Sequence, residues 1–156
     1  MWLSPDTFRT VIGATPLISM DLVVRNSAGE LLLGERLNRP AQSYWFVPGG
    51  RILKNESLDE AFRRITLSEL GCVFERRQAR MLDLYEHFYS DSVFAEAQAG
   101  PDTHYVVLGY ELKLGAEPSI APPPTQHGRY RWWAPEDILG SDQVHANTKA
   151  YLAALR

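Results

Sequence analysis

The sequence has one cysteine, Cys72, in 156 residues, so no intrachain disulfide can staple the fold. It has no long apolar run, which excludes a conventional membrane-spanning helix. It also has no apolar leader, so the chain is expected to work in the cytoplasm without membrane contact. Charge of one sign is scarce as well. Sixteen basic and nineteen acidic residues leave a net charge of -3, and no broad basic surface suggests nucleic-acid binding. There is no internal repeat and no low-complexity linker. Pro122-Pro123-Pro124 reads as a stiff loop rather than a domain boundary. What is present is 45% hydrophobic content, enough for one globular domain, residues 1–156, with its own core.

The hydrophobic pattern gives the elements. Leu17–Arg25 alternates as a strand, with Ile18, Met20, Leu22 and Val24 on one face and Leu17, Ser19, Asp21 and Val23 on the other. The turn residues Asn26–Gly29 lead into a returning strand, Glu30–Arg36. Tyr44–Val47 is a short strand that ends at the Pro48-Gly49-Gly50 break. Gln78–Tyr89, Thr103–Leu114 and Arg129–Trp133 read as further strands, and Ser90–Asp102 and Gly115–Gly128 as loops. Pro135 suits the first turn of a short helix, and Ser141–Leu155 a closing helix capped near Ser141 or Asp142. The order predicts an α/β (α+β) fold, a mixed β-sheet sandwiched between α-helices.

The central helix, Ser57–Leu70, carries the sharpest signal. Ser57 and Glu60 form a capping box, and Gly71 stands at the left-handed C-terminal cap. At about 100° per residue, Leu58, Ala61, Phe62 and Ile65 share an apolar stripe, and Glu69 falls in its middle. A carboxylate there faces the core and sits at the negative end of the helix dipole. It needs a positive partner, either a neighbouring arginine or a metal ion. Asp21 is a second anomaly, since a mid-strand Asp needs a polar cavity or a partner.

The spacing around this helix resembles the box of the Nudix hydrolases, G-x5-E-x7-R-E-U-x-E-E-x-G-U, where U is aliphatic. Gly50, Glu56, Arg64, Glu69 and Gly71 fall on register between residues 50 and 71; Ile65 and Ser68 replace two of the acids, and Thr66 and Cys72 stand at aliphatic positions. The chain is similar to one branch with this reduced box, the GDP-mannose mannosyl hydrolases. The likeness runs through "RPAQSYWFVPGGR", "HFY", "THYVVLGY", "QH", "YRW" and "SDQVHAN".

That resemblance implies a Nudix fold, one Mg²⁺ per subunit, a homodimer, and hydrolysis of GDP-mannose, or GDP-glucose, at the anomeric carbon. It implies metal ligation by Glu69, the Gly49 carbonyl and Gln126, with His127 as general base. Arg36 and Arg51 are implied to bind the diphosphate, and Asp21 to arrange the site or the sugar. Arg64 is either a diphosphate contact or a structural partner of a box Glu. His87, Tyr89 and Tyr105 lie on strands expected to line the cavity. Trp2, Leu3 and Phe8 are implied to bind the nucleotide across the dimer by stacking. Trp45, Trp132 and Trp133 read as core and support. Two other readings stand beside this one: pyrophosphate cleavage to GMP and mannose 1-phosphate, and a non-catalytic nucleotide-sugar sensor.

Overall fold

The computed structural model describes residues 2–94, 100–115, 120–123 and 127–155, the side chain of His127 excepted. Gln126 and parts of the two long loops lie outside the described residues. Helix α1 (Pro5–Ala14) precedes strands β1 (Leu17–Arg25), β2 (Leu31–Arg36), β3 (Trp45–Phe46) and β4 (Gly49–Arg51). Helix α2 (Leu58–Leu70), strands β5 (Arg80–Tyr89), β6 (Thr103–Lys113) and β7 (His127–Trp133), and helices α3 (Pro135–Gly140) and α4 (Ala146–Lys149) follow. A 3₁₀ turn, Ala150–Ala154, closes the described chain.

The described strands form one mixed sheet of seven, ordered β3-β2-β1-β6-β5, with β4 on β1 and β7 on β2. The central β1–β6 pair is parallel; the other pairs are antiparallel. Two cores flank the sheet. Phe62, Ile65 and Leu70 of α2 pack on Met20, Leu22, Leu108 and Tyr110. Ile138, Val144 and Tyr151 from the C-terminal region pack on the opposite face against Val23, Leu33, Trp45 and Trp133. The sheet is thus sandwiched as the element order predicts. Burying both faces is what lets β1 run almost continuously apolar.

Four details differ from the sequence expectation. Residues 5–14 form a helix, with Ser4 as N-cap and Pro5 at its first turn, signals overlooked because the apolar spacing there is sparse. The Pro48-Gly49-Gly50 break contains β4, since small residues can pair closely with β1. The closing helix starts at Ala146, capped by the His145 side chain rather than Ser141 or Asp142, and tightens into 3₁₀ geometry. Leu58, at the head of the α2 stripe, is 40% exposed, because the stripe meets the sheet only from Ala61 onward. No described helix is long and apolar enough to cross a membrane.

Candidate functional site

A cleft of about 280 Å³ opens beside α2, along β4 and the first half of β1 and at the end of β2. Its walls include Trp2, Leu3 and Phe8; Asp21; Arg36; Gly49 and Arg51; Arg64 and Glu69; and His87, Tyr89 and Tyr105. Every described side chain that the sequence reading singled out for the site therefore lines one space. Ser19, Pro40, Ala41, Phe46 and Ser68 also line it, and their types gave no chemical signal in the sequence.

Glu69 is 4% exposed, held by the stripe of α2 against the sheet. Burial raises its pKa to about 7, opposed by Arg36 and by a hydrogen bond from the Gly49 N–H, and Asp21 adds to the rise. Arg36 is thus a cation close enough to favour the ionised carboxylate, without offsetting its burial. A register shift between Gly34 and Arg36 interrupts the β2–β7 ladder, and such irregularities re-aim side chains beside sites. Across that shift Arg36 pairs with the backbone of His127.

Gly49 joins the sheet to the helix. Leu22 N–H bonds the Pro48 carbonyl at 2.8 Å and Ile52 N–H the Ile18 carbonyl at 2.8 Å. In an antiparallel ladder this alternation turns the N–H and C=O of the intervening Gly49 away from β1, and the N–H bonds the Glu69 carboxyl. A Cβ on Gly49 would stand 2.5 Å from both Asp21 Oδ1 and the Met20 carbonyl, so only glycine fits. The Glu69 carboxylate and the Gly49 carbonyl make an oxygen-only donor set, which fits a hard cation that keeps waters and substrate oxygens in its shell. Among the described residues no cluster of three His, Cys, Asp or Glu side chains could hold a metal by itself.

Arg64 has a defined task. Its Nε and Nη2 donate to Glu56 at 2.6 and 2.9 Å, and Nη2 donates to the Arg51 carbonyl at 2.8 Å. That clamp ties the segment after β4 to α2 and holds the Glu56 carboxyl below its usual range. Of the two roles the sequence left open, the structural one is made by direct contact; the guanidinium still borders the cleft. Arg51 lies over the Phe8 ring at 4.6 Å, so α1 covers its own chain's cleft. Trp2 is 74% exposed at the rim.

On the other face of β1, Asp21 is buried and accepts a hydrogen bond from Tyr151 Oη at 2.5 Å. Burial raises Asp21 to about 7, against the Tyr151 hydrogen bond and Arg36. Burial, then His145, lowers His87 to about 4, so its imidazole is neutral at pH 7. Asn147 Nδ2 donates to Tyr89 Oη at 3.1 Å. Sequence reasoning missed Tyr151 and Asn147. The signal that could have found the first is Gly109, a glycine inside an otherwise bulky strand, which marks a close approach.

A family model described as NUDIX domain matches residues 15–155; α1, Pro5–Ala14, lies wholly ahead of that span. The low-salt glycan biosynthesis protein Agl8 of Haloferax volcanii is 34% identical over 152 residues, 96% of this chain and 88% of its own. The crystal structure of a MutT NUDIX hydrolase from Burkholderia pseudomallei has a TM-score of 0.70 at 22% identity, over 91% of this chain and 99% of that one. The NUDIX domain of NrtR from Shewanella oneidensis, solved with ADP ribose, has a TM-score of 0.62 at 18% identity, over 97% of this chain and 92% of that one.

Proposed function

This chain belongs to the NUDIX hydrolase family, and from that premise we propose that it hydrolyses GDP-mannose, with GDP-glucose as a second candidate, to GDP and the free sugar. Water attacks the anomeric carbon with inversion, and residues 1–156 act as one domain within a homodimer. The observation that carries the reading is the face α2 turns to the cleft. Ile65 is buried against Gly50, Ser68 is uncharged and Glu56 is bound by Arg64, so Glu69 is the one box carboxylate lining the cleft. Attack on phosphorus profits from several cations around the phosphoryl group. A single carboxylate suits one cation shared with a diphosphate that leaves intact.

In this reading Arg36 and Arg51 hold the diphosphate and take up the charge it gains. Asp21, His87, Tyr89 and Tyr105 surround the sugar, and Trp2, Leu3 and Phe8 meet the nucleotide. His127 accepts a proton from water as the water oxygen bonds to the anomeric carbon and the carbon–oxygen bond to the diphosphate breaks. No acid is needed on the leaving side, because GDP departs as a weakly basic anion. Glu69, the Gly49 carbonyl and Gln126 would hold Mg²⁺, which when bound supplies positive charge to the departing diphosphate. The relative Agl8, at 34% identity, is named for glycan biosynthesis, a setting in which a nucleotide sugar is a natural substrate.

The test is hydrolysis of GDP-mannose in ¹⁸O-water. Label in mannose is expected. Label in phosphate would instead establish pyrophosphate cleavage to GMP and mannose 1-phosphate, and binding without turnover a sensor.

A further inference from the structure

Two chemistries meet in the cleft. Arg36, Arg51 and Glu69 suit a diphosphate and its cation, whereas Asp21, His87 and Tyr89 offer acceptors and neutral polar groups suited to ring hydroxyls. Asp21 and His87 come from strands on either side of β6, so something must hold them in one relation. Tyr151 lies beneath both, fully buried and not part of the cleft wall. Its Oη is 2.5 Å from Asp21 Oδ2 and 3.5 Å from His87 Nε2. Burial and the nearby Asp21 push its pKa far up, so the phenol keeps its proton and donates to the carboxylate. The phenol oxygen then faces His87 as an acceptor, which suits an Nε2–H tautomer and leaves Nδ1 as an acceptor.

The slot for this phenol is built into β6. Gly109 pairs with Asp21 across the parallel ladder. A Cβ there would lie 2.9 Å from Tyr85 Cε2 and 3.1 Å from Tyr151 Cε1. The two rings meet edge to face with centroids 4.6 Å apart, filling the space that a side chain on Gly109 would take. The close approach explains why glycine interrupts a strand of bulky residues.

We propose that Tyr151 is the positioning residue that locks Asp21 and His87 into one hydroxyl-reading unit, admitted to its place by Gly109. This rests on the proposed GDP-hexose substrate, since it assigns that pair to the sugar half of the molecule.

The test compares GDP-mannose turnover with competitive inhibition by GDP, which lacks the sugar, in the wild type, Tyr151→Phe and Gly109→Ala. Loss of the hydroxyl should lower kcat/KM about 10- to 100-fold, the range expected for a hydrogen bond to a charged group, and leave the GDP inhibition constant within about twofold. Gly109→Ala, which displaces the ring without removing the hydroxyl, should show the same split. Unchanged kcat/KM in Tyr151→Phe would overturn the assignment with the parent reading intact. Parallel loss of GDP binding would overturn it too, by showing that Tyr151 only supports the fold. A wild type that binds GDP but neither turns over GDP-mannose nor binds it more tightly than GDP would overturn the substrate reading, and this inference with it.

Discussion

Replacing Glu69 by Gln should stabilise the metal-free protein at alkaline pH while severely cutting its activity. The buried carboxyl has a pKa of about 7 against an ordinary 4.5. Because the folded-state value is raised, ionisation works against the fold. The stability is complete below about pH 4.5, declines as pH rises toward 7, and then levels off. At about 1.4 kcal/mol per pKa unit, the charge costs about 3 kcal/mol at pH 8. A Gln amide can still accept from the Gly49 N–H, as the neutral acid does, and the ionic part of that bond is already contained in the raised pKa. The expected net gain is therefore about 3 kcal/mol at pH 8 and close to zero near pH 4.5. Asp21, also raised to about 7 by burial, should leave the mutant with a residual pH slope of the same sign. Urea denaturation in EDTA at the two pH values measures this. Added Mg²⁺ should then stabilise the wild type by about 3 kcal/mol at a hundredfold excess over Kd, and the mutant far less. A mutant weaker than wild type at pH 8 in EDTA would refute the electrostatic reasoning, and equal gains from Mg²⁺ would refute the ligand role.

Other outcomes follow from the proposed function and the fold. His127→Gln should slow turnover by roughly 10²–10⁴-fold and remove the acid limb of the pH–rate profile, with the Mg²⁺ titration little changed. Gln126→Ala should show the reverse, weaker Mg²⁺ binding with the acid limb kept at saturation. Deleting Met1–Phe8 should raise KM for the nucleotide sugar more than it lowers the melting temperature, because Phe8 and Trp2 line the cleft; an unaltered KM would deny the segment a binding role. Gly71→Ala should cost about 1 kcal/mol for its left-handed backbone and more for the clash with the Ala121 carbonyl, read as a lowered denaturation midpoint.

Much of this was legible in the chain because the decisive signals are local. The capping box at Ser57 and Glu60, the cap at Gly71 and the strand span Leu17–Arg25 are written in adjacent residues, and each has its counterpart in the fold. Asp21 and Glu69 could be recognised as anomalies because they break an apolar period. Their partners were not legible, since Arg36, Gly49 and Tyr151 reach them only through strand register and the return of the C-terminal segment. Helix α1 went unread because its start depends on Ser4 and Pro5 rather than on a strong apolar stripe. The start of α4 and the existence of β4 are not written locally for a related reason: tertiary pairing, as in the His145 cap and the β1–β4 register, decides them.

The clamp between Arg64 and Glu56 divides the helix motif into parts that can change independently. It fixes the approach to α2 through contacts with Glu56 and the Arg51 carbonyl, none of which involve positions 65 or 68. Side chains at those two positions could be exchanged without loosening the joint, yet the exchange is not symmetrical. Ser68 borders the cleft and is exposed, so a carboxylate there would meet solvent. Ile65 is 1% exposed, with Gly50 packed against it, and an ionised group there would cost several kcal/mol. Restoring both acids of the full motif is therefore cheap at position 68 and costly at position 65, where the side chain meets the cleft wall but is packed against Gly50.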